Sequence, residues 1–280
     1  PREMNQGRNG DGELRAIGKA SKKKTVVASM HGVYRVQPVL RQIGRSAFQG
    51  CDSLEHFDFP SSLKKIGVAA FREAGLKHVS LRGRVILHRR AFERCLRLES
   101  VVFAEGLYIL GAMAFAACPR LLRVNFEHAD EPSTGAVVPF LGKGCFEGCV
   151  SLQRFDLPRD VTKMGSNVFA HCKSLSHVSL RNGSEQYVLT SIPNGAFFGC
   201  TSLTAIDFGN SVSKVGEKAF GSCTRLETVD ISQTAVTELG NAAFANCTDL
   251  WHVYLNMEIQ NWERAFWNTP RVRVTRVARY

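Results

Sequence analysis

No stretch of the sequence approaches the roughly 18 uninterrupted apolar residues that carry a helix across a membrane. The N-terminus also has no charged segment followed by an apolar one and a small-residue cleavage site, so no secretion signal is visible. The chain opens on Pro1 without a Met, which leaves an upstream targeting segment open. An intracellular location, cytoplasm or organelle, is the expectation, with an extracellular surface as the alternative. Enzyme signatures are missing too: there is no Gly-rich phosphate loop ending in Lys-Ser or Lys-Thr, no Gly-x-Ser-x-Gly elbow and no His-Glu-x-x-His. Neither a Cys-x-x-Cys pair nor a His-rich tract supplies zinc ligands. The expectation is therefore a protein with no catalytic residues, cofactor or metal. The odd cysteine total, nine, argues against complete disulfide pairing.

What is present suffices for a core: 280 residues with 44% hydrophobic side chains. The net charge of +11 is concentrated, with +4 in residues 1–24, +5 in residues 82–97 and +4 in residues 271–280, which leaves −2 for the remainder. An anionic partner would meet local patches of a nearly neutral body.

Aligning the chain on phenylalanine exposes a period that begins near residue 40. The string is Ala-Phe, then Cys three residues after Phe, Leu three later, and two apolar residues separated by one; it first reads Ala47-Phe48, Cys51, Leu54, Phe57, Phe59. Further copies centre on Phe71, Phe92, Phe115, Phe146, Phe169, Phe197, Phe220, Phe244 and Phe266, at intervals of 23, 21, 23, 31, 23, 28, 23, 24 and 22 residues. Two apolar columns lie five and eight residues before each of the first nine Phe residues, with Arg84 the exception in the farther one. Gly follows the nearer column in seven copies, as a tight corner needing positive φ or close backbone approach would require.

A unit of about 23 residues cannot bury its own Phe, Cys and Leu, whereas stacked units bury each column against its copy in the next coil. The alternating Leu-x-x-apolar-x-apolar segment reads as a strand, so stacking gives a parallel sheet. The Ala-Phe segment reads as a short helical turn opposite. The fold expected is thus an α/β repeat of about ten coils. Residues 1–24 are read as a flexible basic arm, 25–39 as an N-terminal cap and 40–280 as the solenoid, with an atypical cap over about 256–280 where Asn261, Trp262 and Thr269 replace column residues. The repeated string resembles the BspA-like class of leucine-rich repeat over about residues 40–270. That resemblance implies a solenoid; many proteins of the class are surface or adhesion proteins of bacteria and protists, and others are intracellular interaction modules.

Partner-binding candidates follow from departures and outward positions. His56 and His78 precede the first apolar strand position in adjacent coils, which permits weak metal binding or a pH response, with a solvated sheet face as the plainer reading. Asp207 and Asp230 pair carboxylates on neighbouring coils without a nucleophile, so they read as contact residues. Eight cysteines share one column and read as buried, reduced thiols. Insertions around Glu127–Pro139 and Arg181–Tyr187 fit recognition loops on one rim, with neutral drift as the alternative, and Tyr187 is a contact candidate. The third coil gathers Arg82, Arg84, His88, Arg89, Arg90, Arg94 and Arg97 around one acid, Glu93, and reads as the main contact for an anionic partner. The tail arginines Arg271, Arg273, Arg276 and Arg279 are a weaker candidate, since charge on a terminal strand also blocks edge aggregation. The leading functional expectation is a non-catalytic scaffold for protein partners, within a larger intracellular assembly. A secreted or surface adhesin, and a ribonucleoprotein subunit touching RNA through the basic segments, are the alternatives.

Overall fold

The structure, a computed structural model, describes residues 40–104, 109–127, 140–158, 161–180 and 189–278. The arm, the N-terminal cap, both insertions (apart from Glu127), Tyr187 and Arg279 lie outside the described residues.

Ten phenylalanines form the spine. From Phe48 to Phe266 every successive pair is stacked, with ring centroids 4.9–5.7 Å apart and planes within 2–11°. Parallel backbones about 4.8 Å apart set this rise, and the slight ring offset relieves face-to-face repulsion of the π clouds. Eight of the ten side chains are fully buried; Phe48 and Phe266, at the ends, are slightly exposed.

Most coils carry two strands, one on each of two parallel-stranded faces. The predicted strand is there: His78–Leu81, Ser100–Phe103 and Arg123–Phe126 pair in one sheet, Arg154–Asp156 with His177–Ser179, and Thr228–Ile231, His252–Asn256 and Arg273–Val277 in a third piece. These three separate sheets line one face, the long sheet. Register is unshifted, so Val79, Val101 and Val124 meet on the inner side, where a slip of one residue would turn the whole row outward. The nearer apolar column forms a second sheet of two-residue strands that the sequence pattern did not reveal: Gln42–Ile43, Lys65–Ile66, Ile86–Leu87, Ile109–Leu110, Phe140–Leu141 and Lys163–Met164, followed by a three-stranded piece. These form the short sheet.

The helical turns expected around Ala-Phe are absent. Among the described residues there is no α-helix, and the sole helical segment is a 3-10 turn, Trp262–Phe266, in the last coil. The reason lies in where the amide hydrogens go. In the second coil Ala70 and Arg72 donate three residues back, to Gly67 and Ala69, while Ala69, Phe71 and Glu73 donate to Arg89, Ala91 and Glu93 of the next coil. Alternate amides are thus spent between coils, so an α-helical ladder cannot form, yet no donor is orphaned. The alternation demands a left-handed residue two before and two after Phe: Ala69 and Glu73, Arg90 and Arg94, Met113 and Ala117, Asn167 and His171 all have φ of 54–60°.

Two further columns lock the coils. The Gly following the short strand has ordinary φ; a Cβ on Gly111 would lie 2.6 Å from the His88 carbonyl carbon and the Arg89 nitrogen. Close backbone approach, and not positive φ, is what excludes a side chain there. The cysteines are buried and free, and from Cys95 onward each thiol of the column points at the carbonyl of the Phe one coil earlier: Cys95 to Phe71 at 3.1 Å, and Cys118, Cys149, Cys172, Cys200, Cys223 and Cys247 to theirs at 3.2 Å. In the last coil Thr269 holds this position and its hydroxyl donates to the carbonyl of Phe266 in its own turn, closing the column.

Candidate interaction faces

The outward side of the long sheet carries one row at the first strand position, including His56, His78, Ser100, Arg123, Arg154, His177 and His252, and a second at the third position, including Asp58, Asp156, Asp207, Asp230 and Tyr254. His56 and His78 are exposed. The His78 ring hydrogen-bonds along the sheet to Ser100 Oγ through Nδ1 at 2.9 Å. No group of three metal-ligating side chains converges among the described residues. Asp207 Oδ1 accepts the Gly209 amide at 3.0 Å, and Asp230 Oδ1 accepts the Ser232 amide at 3.0 Å and its hydroxyl at 2.7 Å. Both fold back as side-chain turns that close the corner after the strand. A shallow groove crosses the middle of this sheet, lined by Leu122, Asn125, Gln153, Arg154, Ser176 and His177 among others. Towards the C-terminal end Trp251, half exposed, meets His252 edge-on, and His252 stacks on Tyr254 at 4.3 Å.

The third-coil arginines are spread around the coil. Arg90 and Arg94 occupy the two left-handed positions of the turn. Glu93, between them, is buried, with Arg72 Nε of the preceding coil at 2.9 Å and Arg90 Nε at 3.5 Å; Arg94 and Arg72 both reach Glu73. The Arg72 and Glu93 atoms sit at ion-pair distance without the alignment of a hydrogen bond, so the attraction is mainly that of charge in a poorly solvated place. Arg97 reaches Glu55 across two coils at 3.0 Å, and Lys77 reaches the same carboxylate at 2.8 Å; the Lys77 hydrogen bond and charge hold the Glu55 carboxyl below its ordinary value. Arg82, Arg84 and Arg89 have no ion pair among the described residues. Arg84 does not enter the apolar column: this coil is two residues shorter, and Val85 fills the interior place. His88, at the corner, is partly buried, and burial, with Lys65 nearby, lowers its pKa.

The model of the BspA type leucine-rich repeat region matches the chain over residues 35–131, 87–187 and 184–277. The chain belongs to the BspA-type leucine-rich repeat family. Among solved structures, this BspA-type chain is similar to a leucine-rich repeat protein from Bacteroides ovatus, with 24% identity over 86% of this chain and 76% of that one and a TM-score of 0.45. It is similar to a leucine-rich cell surface protein from Faecalibacterium prausnitzii, with 21% identity, 94% and 88% coverage and a TM-score of 0.41. It is also similar to the leucine-rich repeat protein of T. pallidum, with 25% identity, 69% and 74% coverage and a TM-score of 0.43. No functionally curated protein matches.

Within the BspA-type frame, the sequence reading missed Arg72, Glu73 and Asn256, and gave Arg276 a different role. Arg72 and Glu73 complete the third-coil ion network from the coil before, a pairing across 21 residues that local charge counting misses. Asn256 is fully buried and staples two coils, donating to the Val236 carbonyl at 2.7 Å and accepting from the Glu258 amide. Arg276 donates to the carbonyls of Met257 and Ile259, which makes it a brace of the C-terminal cap. No helix among the described residues is long and apolar enough to cross a membrane.

Proposed function

We propose that the solenoid is a non-catalytic scaffold that holds protein partners on its sheet faces, as part of an intracellular assembly. The observation that carries this reading is the in-register stacking of outward side chains: each row is fixed by backbone hydrogen bonds on both sides, so a broad surface is presented with little conformational entropy left to lose on binding. The long sheet mixes polar groups with exposed Leu122 and Trp251, the composition of a wet protein-binding surface with a few apolar anchors. The non-catalytic reading is supported by Asp207 Oδ1 and Asp230 Oδ1 each accepting a backbone amide at the corner after the strand. The intracellular reading is supported by a thiol ladder that stays buried and unpaired.

The test is affinity capture from native lysate with and without nuclease, run beside a Leu122→Ser, Trp251→Ser variant. The expected result is a nuclease-resistant protein partner whose capture drops in the variant while the melting temperature holds. Capture that nuclease abolishes would replace protein with nucleic acid as the primary ligand.

A further inference from the structure

The outward row of the short sheet reads Lys65, Ile86, Ile109, Phe140, Lys163, each residue paired in register with the next. Ile86 and Ile109 are half-buried, and Phe140 is 36% exposed. Around this apolar ladder stand Lys64 and Arg84 on the strand-entry side and Arg89 and Lys143 on the turn side, and no acidic residue occurs on this face through the first seven coils among the described residues. The long sheet differs, with Glu55, Asp58, Glu99, Asp156, Asp207, Glu227 and Asp230 on its side. An apolar strip whose described flanks carry cations and no carboxylate has the layout of an interface core with a charged rim.

We infer that this face docks an acidic amphipathic helix of a partner protein, lying along the solenoid axis. The inference rests on the scaffold reading above. Rungs about 4.8 Å apart place the three apolar side chains over about 10 Å, and a helix presents apolar residues at i, i+3 or i+4, and i+7 over nearly the same length. Glutamates flanking that stripe would meet Lys65 and Lys163 at the two ends. A strand cannot substitute, because each central short strand is already paired on both sides and offers no free edge. Bases of a nucleic acid would find no pair of exposed rings to stack on among the described residues of this face, and half-buried isoleucines cannot insert into a lipid surface.

The experiment uses the full chain and a labelled synthetic helix with leucines at i, i+4 and i+7 flanked by glutamates, followed by fluorescence anisotropy. The same helix with lysines for glutamates, a single-stranded RNA oligonucleotide, and vesicles containing phosphatidylserine run beside it. The acidic helix is expected to bind saturably and more weakly as salt rises. Ile109→Ser with Phe140→Ser should weaken it about tenfold or more, and Lys65→Glu with Lys163→Glu should remove most of the salt dependence and admit the lysine helix. Circular dichroism should stay unchanged, and any modest fall in melting temperature from Ile109→Ser should leave the protein folded at the assay temperature. Absence of saturable binding, equal binding by both variants, or RNA or vesicle binding that the same substitutions abolish would each overturn the inference. Capture undiminished in the Leu122→Ser, Trp251→Ser variant would instead count against the scaffold reading on the long sheet.

Discussion

At the residue scale the fold tolerates local backbone strain to gain hydrogen bonds between coils. Ala117 has φ of 54°, in a region that costs an L-residue roughly 1–2 kcal/mol, and the corresponding place one coil later is held by Gly148. Ala117→Gly is therefore expected to stabilise the protein by about 0.5–1 kcal/mol despite the added freedom of the unfolded chain, read as a higher urea midpoint with unchanged slope. A lower midpoint would mean that the left-handed positions carry no strain. Phe169, fully buried and stacked between Phe146 at 5.6 Å and Phe197 at 5.5 Å, behaves oppositely: Phe169→Ala should cost about 3–5 kcal/mol through lost burial and a cavity. The phenylalanine and cysteine columns were legible because their burial demands one residue type at a fixed spacing. The left-handed positions were not, because Arg, Glu, Met, Lys and His all occupy them and only the hydrogen-bond pattern gives them away.

At the element scale the decisive feature is the corner after each short strand. Gly111→Ala would drive a Cβ into backbone atoms of the preceding coil at 2.6 Å, and since neither strand can move without breaking its pairing, the expected outcome is a loss of a few kcal/mol. A melting temperature equal to that of the parent would show that the coils can spread. The long strand was readable from its alternation. The short sheet and the missing helix were not, because a two-residue strand has no period to detect and a turn that pairs with its neighbour looks, in one dimension, like the start of a helix. The third-coil cluster shows the same limit for sites. Its charge was plain in the sequence, but Arg90 and Arg94 prove tied to Glu93 and Glu73 while Arg84 and Arg89 flank the short sheet, and only stacking separates these roles.

At the scale of the whole molecule the buried thiols make a collective prediction. Burial pushes Cys200 and Cys247 up to about 12 and raises Cys118, Cys145, Cys172 and Cys223 well above the ordinary thiol value. A thiol whose folded pKa exceeds its unfolded one contributes stability that is complete below the unfolded value and is lost as pH rises towards the folded value. Each such thiol removes up to about 1.4 kcal/mol per pH unit in that window, beginning near pH 8.5. Urea melts between pH 8 and 11 should therefore show a steep decline that Cys172→Ala with Cys223→Ala makes shallower; a pH-independent midpoint would show that the thiols ionise in the folded state. The same ladder fixes the sheets as rigid platforms, and partners are expected to meet those platforms and not the turns. Hydroxyl-radical footprinting of the purified complex tests this directly. Leu122 and Trp251 on the long sheet, or Phe140 on the short one, should lose reactivity when the partner is bound, while Met113, Phe198 and Trp267 along the turns keep theirs. Protection confined to Met113, Phe198 and Trp267 would contradict it.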